Sequence, residues 1–270
     1  MRILMVGDVV GKSGRVALTD HLPCLRERLR LDFVVVNGEN AAHGFGITAK
    51  ICSELYEFGA DVITTGNHVW DQREIMNHID KDPKLLRPLN YPVGTPGKGS
   101  GIFDAPRGRK VAVVHPMCRL FMDPLDDPFA GTERVISHIK LGIDAHVILV
   151  DVHGEATSEK QSLGHILDGR VSAVVGTHTH VPTADHQILP GGTGFVTDLG
   201  MTGDYNSVIG MKKEAASARF ATKIPQGRLE PADCEATLCA AFIETDDATG
   251  LTIRIDPVRV GGRLSQTEPT

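Results

Sequence analysis

Five short and nearly unbroken apolar runs punctuate the chain: residues 2–7, 33–36, 62–65, 147–150 and 171–175. Runs of this length without polar alternation predict strands covered on both faces. Between the early runs, Leu18, Leu22, Leu25 and Leu29 recur at helical spacing, with Pro23 as a kink point. Ile47, Ile51, Leu55 and Phe58 form a second helical stripe that Gly59 stops. This β-loop-α rhythm predicts a sheet that begins parallel, with right-handed crossovers.

The later chain changes character. Residues 86–100 are rich in Pro and Gly and read as loop, while 101–105 and 110–115 read as a hairpin or edge pair. Residues 121–131 read as a surface excursion, followed by a helix over 133–140. Ser158-x-x-Gln161 has the form of a capping box opening a helix that stops at Gly169. Residues 187–189 and 194–198 form one expected hairpin, and 234–244 with 250–260 another, turning around Asp246–Gly250. The last ten residues are polar and expected to fray. The sequence shows neither a repeat nor a linker, so residues 1–270 are expected to form one α/β domain, with parallel strands first and antiparallel ones later.

Composition narrows the classes of function. With 41% hydrophobic and 23% charged residues the 270-residue chain has the make-up of a soluble globular protein. Its formal net charge of -6, without a dense Lys/Arg block, argues against duplex nucleic acid as a partner. No apolar run is long enough for a membrane span, and the first strand leaves no room for a signal peptide. Five cysteines without a Cys-x-x-Cys pair predict free thiols, Cys24 and Cys52 buried on helices, and a reducing, cytoplasmic location. Homo-oligomerisation is compatible with all of this.

Polar groups gather where the apolar runs end: Asp8, Glu39-Asn40, Asn67-His68, His153, and His178 with His180. Ligands bind at the carboxyl ends of strands in α/β sheets. Alternate residues in extended chain point the same way, so His178 and His180 can converge. Taken singly, Asp8 or Asn67 reads as a turn residue or cap, and His153 as an ordinary hydrogen-bonded histidine. Five strand ends carrying carboxylate, amide or imidazole together predict a metal centre of two borderline cations sharing a carboxylate. A competing motif, Gly7 to Gly11-Lys12-Ser13, has three residues between its glycines where a phosphate-wrapping P-loop needs four. His115 and His186 are undecided, and the remaining histidines are read as surface or helix residues.

In order, Gly7-Asp8, Gly38-Glu39-Asn40, Gly66-Asn67-His68, His153 and Gly176-Thr177-His178-Thr179-His180 resemble the motifs of the calcineurin-like metallophosphoesterases. Val10 stands where most of that superfamily has a histidine, and Glu39 where it has aspartate. Both departures match the bacterial YmdB-like subfamily, as do residues 36–42 and 176–181. The resemblance implies an αββα sandwich of two mixed sheets flanked by helices. It also implies two transition-metal ions and phosphodiesterase activity on cyclic nucleotides, notably 2′,3′-cyclic ones, with 3′,5′-cyclic ones admitted. Carried over by motif, Asp8, Glu39, Asn40 and His180 would hold one ion. Glu39, Asn67, His153 and His178 would hold the other. Asn40 would replace the missing histidine, which makes its site richer in oxygen and suits iron or manganese, with zinc also acceptable.

The mechanism expected from this set is in-line attack on phosphorus by a hydroxide shared between the ions, with His68 protonating the leaving oxygen. A rival is another dinuclear hydrolase of the amidohydrolase kind, which carries its His-x-His early and on a barrel. A second rival is a regulatory phosphate-ligand binder with little turnover. Substrate-binding residues are not legible beyond a suggestion that the loop at 200–204 takes part.

Overall fold

The computed structural model describes residues 1–224 and 227–269. Two six-stranded sheets stack face to face, each mixed in direction. The strands are β1 (Arg2–Val6), β2 (Phe33–Asn37), β3 (Val62–Thr64), β4 (Leu85–Leu86), β5 (Ser100–Ala105), β6 (Arg109–Val114), β7 (Val147–His153), β8 (Ala173–Thr177), β9 (Gln187–Ile188), β10 (Gly194–Val196), β11 (Leu238–Thr245) and β12 (Thr252–Val260). The first sheet has the order β12-β11-β1-β2-β3-β4, and the second β5-β6-β7-β8-β10-β9. The helices are α1 (Gly11–Arg28), α2 (Ala49–Glu57), α3 (Pro128–Ile136), α4 (Thr157–Leu167) and α5 (Lys213–Thr222).

The continuous apolar character of the strands follows from burial on both sides. On β1, Ile3 and Met5 face the second sheet, packing with Val35 of their own sheet and with Val113 and Leu149 of the other. Leu4 and Val6 face outward and meet Leu18, Leu22 and Leu25 of α1 and Leu55 of α2. On β7, Ile148, Val150 and Val152 pack with Leu163 and Leu167 of α4, while Val147 and Leu149 face the inter-sheet core. The layers are therefore helix, sheet, sheet, helix. Among the described residues the strands form these two stacked sheets and no barrel of the kind that carries the His-x-His of amidohydrolases.

Several local expectations change. The five apolar runs do not share one sheet: β1, β2 and β3 are parallel neighbours in the first, and β7 and β8 in the second. The excursion at 121–131 already contains the start of α3, because Asp127 caps that helix through Phe129 N and Pro128 occupies its first turn. The helix then ends at Ile136, short of residue 140. Ser158 lies inside α4 and caps nothing, since the helix begins at Thr157. Leu85–Leu86 pairs with β3 as a short strand. Pro23 lies within α1, whose 18 residues run as one helix. Cys24 is exposed; Cys52 is buried as expected. The tail does not simply fray: Thr267 exchanges backbone hydrogen bonds with Arg259 of β12. Thr270 lies outside the described residues. Among the described residues no helix is long and apolar enough to cross a membrane.

Candidate metal centre

The sandwich brings strand ends of both sheets to one place. Asp8 follows β1, Glu39 and Asn40 follow β2, and Asn67 and His68 follow β3. From the opposite sheet, His153 is the last residue of β7, and the turn after β8 carries His178 and His180. Donor atoms of Asp8, Glu39 and His180 lie within 4.8 Å of one another, and so do those of Glu39, His153 and His178. Glu39 belongs to both groups. Asn67 Oδ1 stands 3.0 Å from His153 Nε2, and Asn40 Nδ2 lies 3.0 Å from Glu39 Oε1 and 3.1 Å from His180 Nε2. Thus all seven residues named from the sequence as metal donors are brought together. His68 stands at the edge: its backbone N donates to Glu39 Oε2 at 3.3 Å, and its half-buried ring packs edge-on against Phe45.

Neighbouring groups select which ring nitrogen of each histidine faces inward. Thr177 Oγ1 donates to Asp151 Oδ1 at 2.8 Å, so toward His153 Nδ1, 2.9 Å away, it accepts. His153 therefore carries a proton on Nδ1 and presents Nε2 to Glu39, Asn67 and His178. His180 Nδ1 donates to the Ile209 carbonyl at 2.8 Å, which leaves Nε2 facing Asp8 and Asn40. His178 is turned the other way: Nε2 lies 3.3 Å from Glu155 Oε2, and Nδ1 faces His153 Nε2 at 3.2 Å. Each imidazole thus turns one nitrogen toward a common volume, where it can offer a lone pair once that nitrogen is deprotonated, and outer hydrogen bonds hold the other nitrogen.

The charge balance of this volume is that of a cation site. Asp8, Glu39, Asn40 and His153 are almost completely buried. Asp8 Oδ1 and Asn40 Oδ1 are buried without a hydrogen-bond partner, an arrangement that is costly unless an electropositive group faces them. Burial lifts the Asp8 carboxyl to about 6, against the pull of His180 and His153. Burial works against ionised Glu39 as well, but His153 with His68 and His178 outweighs it and holds the group below the ordinary carboxylate range. Burial likewise opposes charge on His153, but Glu39 first, then Asp8 and Asp151, raises it. Burial and then the neighbouring His153 push His178 down to about 3, so it stays neutral and free to donate its lone pair. Without a metal, a proton on His153 offsets the buried carboxylates, joined below about pH 6 by one on Asp8.

Close approach is built into the strand ends. A methyl group on Gly66 would overlap Glu39 Oε2 and His153 Nε2, and one on Gly176 would overlap the Thr197 carbonyl. Both motif glycines are therefore fixed by what faces them, with φ negative or extended.

Several supporting residues escape sequence reading. Asp71 Oδ2 accepts from His68 Nδ1 at 2.9 Å; its spacing of three residues from His68 was the available signal. Asp151 sits fully buried beneath the centre and also accepts from Thr64 Oγ1 at 2.5 Å. It lies mid-strand, where nothing local marks it. His115, left undecided from the sequence, is buried with its Nδ1 3.0 Å from the Asp151 carbonyl, whereas His186 is exposed. The loop at 200–204 is buried and serves as a buttress: Thr202 N donates to the Asp8 carbonyl and Gly203 pairs with Thr237. Away from the centre, Cys52, His78 and Asp82 also cluster, but Asp82 there already accepts from Tyr56 Oη, His78 Nε2 and Lys84 N.

The chain is similar over nearly its whole length to known proteins. The chain is 46% identical over 260 residues to a 2′,3′-cyclic-nucleotide 2′-phosphodiesterase of Bacillus subtilis (strain 168), covering 96% of this chain and 97% of that protein. A crystal structure of a protein from Thermus thermophilus superposes with a TM-score of 0.90 at 44% identity, covering 97% of this chain and 100% of that one. One described as a novel phosphatase from Mycoplasma pneumoniae gives a TM-score of 0.90 at 33% identity, covering 97% and 93%. The model of the YmdB-like protein family matches residues 4–258, and the chain belongs to that family.

Proposed function

We propose that this protein is a phosphodiesterase acting on cyclic nucleotides through a dinuclear metal centre, with 2′,3′-cyclic substrates foremost and 3′,5′-cyclic ones in the same class. The observation that carries the reading is the pair of donor groups sharing Glu39, together with the buried, partnerless Oδ1 of Asp8. Asp8, Glu39, Asn40 and His180 hold one ion, and Glu39, Asn67, His153 and His178 the other. Asn40 takes the place of the histidine that Val10 displaces: Val10 and Asn40 are bridged neighbours, and Gly11 N donates to the Asn40 carbonyl. A half-turn of the Asn40 amide presents its oxygen toward Glu39 and His180. Iron or manganese suits this mixed oxygen and nitrogen set, and zinc is acceptable.

When bound, the two ions supply an acidified water and neutralise charge on the phosphoryl oxygens. The rest falls to the chain. Glu39 holds the two donor groups in register. His68, oriented by Asp71 through Nδ1, keeps Nε2 for a proton and delivers it to the leaving ribose oxygen. The whole chain works as one domain, since the centre needs ends of both sheets and the two share a core. Five free thiols, two of them exposed, suit a cytoplasmic setting. The name of the Bacillus subtilis relative supports the same substrate class.

Metal content per chain and turnover of 2′,3′- and 3′,5′-cyclic nucleotides, an aryl diester and its monoester test the proposal together. Two ions per chain and preference for diesters are expected. His68→Ala keeps both ions while losing roughly 10²–10⁴-fold in turnover, the range of a general acid. Fewer than two ions in metal-replete protein, or an undiminished His68→Ala, overturns it.

A further inference from the structure

The turn that presents His178 and His180 is not relaxed backbone. His178 has φ 101 and His180 has φ 64, the left-handed region that residues other than glycine rarely occupy. Such a conformation persists only where its surroundings hold it. Beneath the turn lies Lys160, on the inner face of α4 and completely buried, a rare situation for a lysine. Its ammonium donates to the Thr177 carbonyl at 2.7 Å and to Asp198 Oδ2 at 2.8 Å. Asp198, equally buried after the end of β10, accepts from Thr179 N at 3.0 Å through Oδ2 and from Gly200 N at 2.9 Å through Oδ1. The two side chains thus grip the backbone on both sides of His178. The His178 amide itself donates to Asp8 Oδ2 at 3.1 Å.

We infer that the buried Lys160–Asp198 pair is a positioning device that holds the His178-Thr179-His180 turn in its left-handed form and so sets both metal positions at once. Thr179 lies between the two histidines, and its amide is the point of attachment. With the pair removed, the turn relaxes toward negative φ and the two imidazoles diverge. Neither Lys160 nor Asp198 supplies a donor atom to the ions. Their loss therefore weakens both positions together, whereas loss of one histidine weakens one. The inference rests on reading the donor groups as a dinuclear metal centre.

The test is calorimetric titration of the metal-stripped chain with Mn²⁺, alongside circular dichroism. Lys160→Met keeps the length of the side chain, and Lys160→Met/Asp198→Asn removes both charges, a replacement that folded proteins often tolerate. Folded variants are expected to bind Mn²⁺ at both positions roughly 10–100-fold more weakly, as when supporting hydrogen bonds are lost. His180→Ala, run as a control, weakens one position selectively. Asp198→Asn alone retains an acceptor for one amide and loses less affinity than Asp198→Ala. A folded Lys160→Met with two unchanged Mn²⁺ affinities overturns the inference, as does weakening of only one position. Unfolding of both Lys160 variants also overturns it, in favour of a purely structural ion pair. If the unaltered chain takes up no Mn²⁺, the dinuclear reading itself falls, an outcome distinct from these.

Discussion

The two halves of the centre share Glu39 and are otherwise unlike. The half formed by Asp8, Glu39 and His180 is buried throughout and dominated by oxygen, with Asn40 beside it. The half formed by Glu39, His153 and His178 has two imidazoles, and its outer histidine is partly exposed beside Glu155. The first is enclosed by main chain, with Thr202 behind Asp8 and the Ile209 carbonyl behind His180. The second is held by side chains, through Thr177 on Asp151 and through Glu155. One shared carboxylate therefore spans a hard, closed compartment and a softer, more open one. The difference teaches that two ions bound here need not be equivalent in affinity or exchange.

Glu39→Gln probes the shared element and carries the largest expected effect. On the dinuclear reading, the neutral amide loses the charge that both halves use, and both ions are expected to leave. Turnover falls on the order of 10³-fold or more, since several kcal/mol of charge stabilisation go with them. Metal analysis with steady-state kinetics checks this; a variant retaining one tight ion would show that one half stands alone. A smaller and sharper contrast comes from His180→Ala against His178→Ala. The first should empty the enclosed half and the second the open half, each losing more than the roughly 10–100-fold typical of a supporting bond. Mn²⁺ titration of the two variants would break the comparison if both lost the same ion.

The smallest effect concerns acidity in the metal-stripped protein. Burial raises Asp8 to about 6, above its unfolded value, so between about pH 4 and 6 the native state holds more protons and stability falls as pH rises. His153 is also raised, mainly by Glu39 against the effect of burial, so its contribution is present at low pH and is lost as pH climbs through its folded value. Glu39, held low, contributes a constant amount across this window. A bound metal replaces those protons. The gap in melting temperature between metal-replete and metal-stripped protein should therefore widen as pH rises from about 4 to about 6, and further as His153 loses its proton. A gap that narrows would show that the buried carboxylates are compensated some other way.

What the sequence makes legible divides along physical lines. The residues that meet at the centre are readable because strands end abruptly: Gly7-Asp8, Gly66-Asn67-His68 and the His-x-His turn each follow an apolar run directly. The β11–β12 hairpin was visible from alternation, and its position beside β1 was not, since pairing across more than 230 residues leaves no local trace. Asp151, Lys160 and Asp198 were hidden for a related reason. Their importance comes from burial and from partners on other elements, and a lysine on a helix otherwise reads as solvent-exposed. Asp127 shows the opposite failure: a capping aspartate followed by proline was a start signal, obscured by a second Asp-Pro pair just before it.

Gly66 and Gly176 carry a consequence for how such a centre can diversify. At Gly66 the space is taken by the side chains of Glu39 and His153, and at Gly176 by the Thr197 carbonyl, so neither position leaves room for a side chain. The chamber is thus gauged at one end by the groups that meet in it and at the other by backbone. A methyl group gained at either glycine would push the facing strand ends apart, so both positions are closed to drift although neither carries a donor atom.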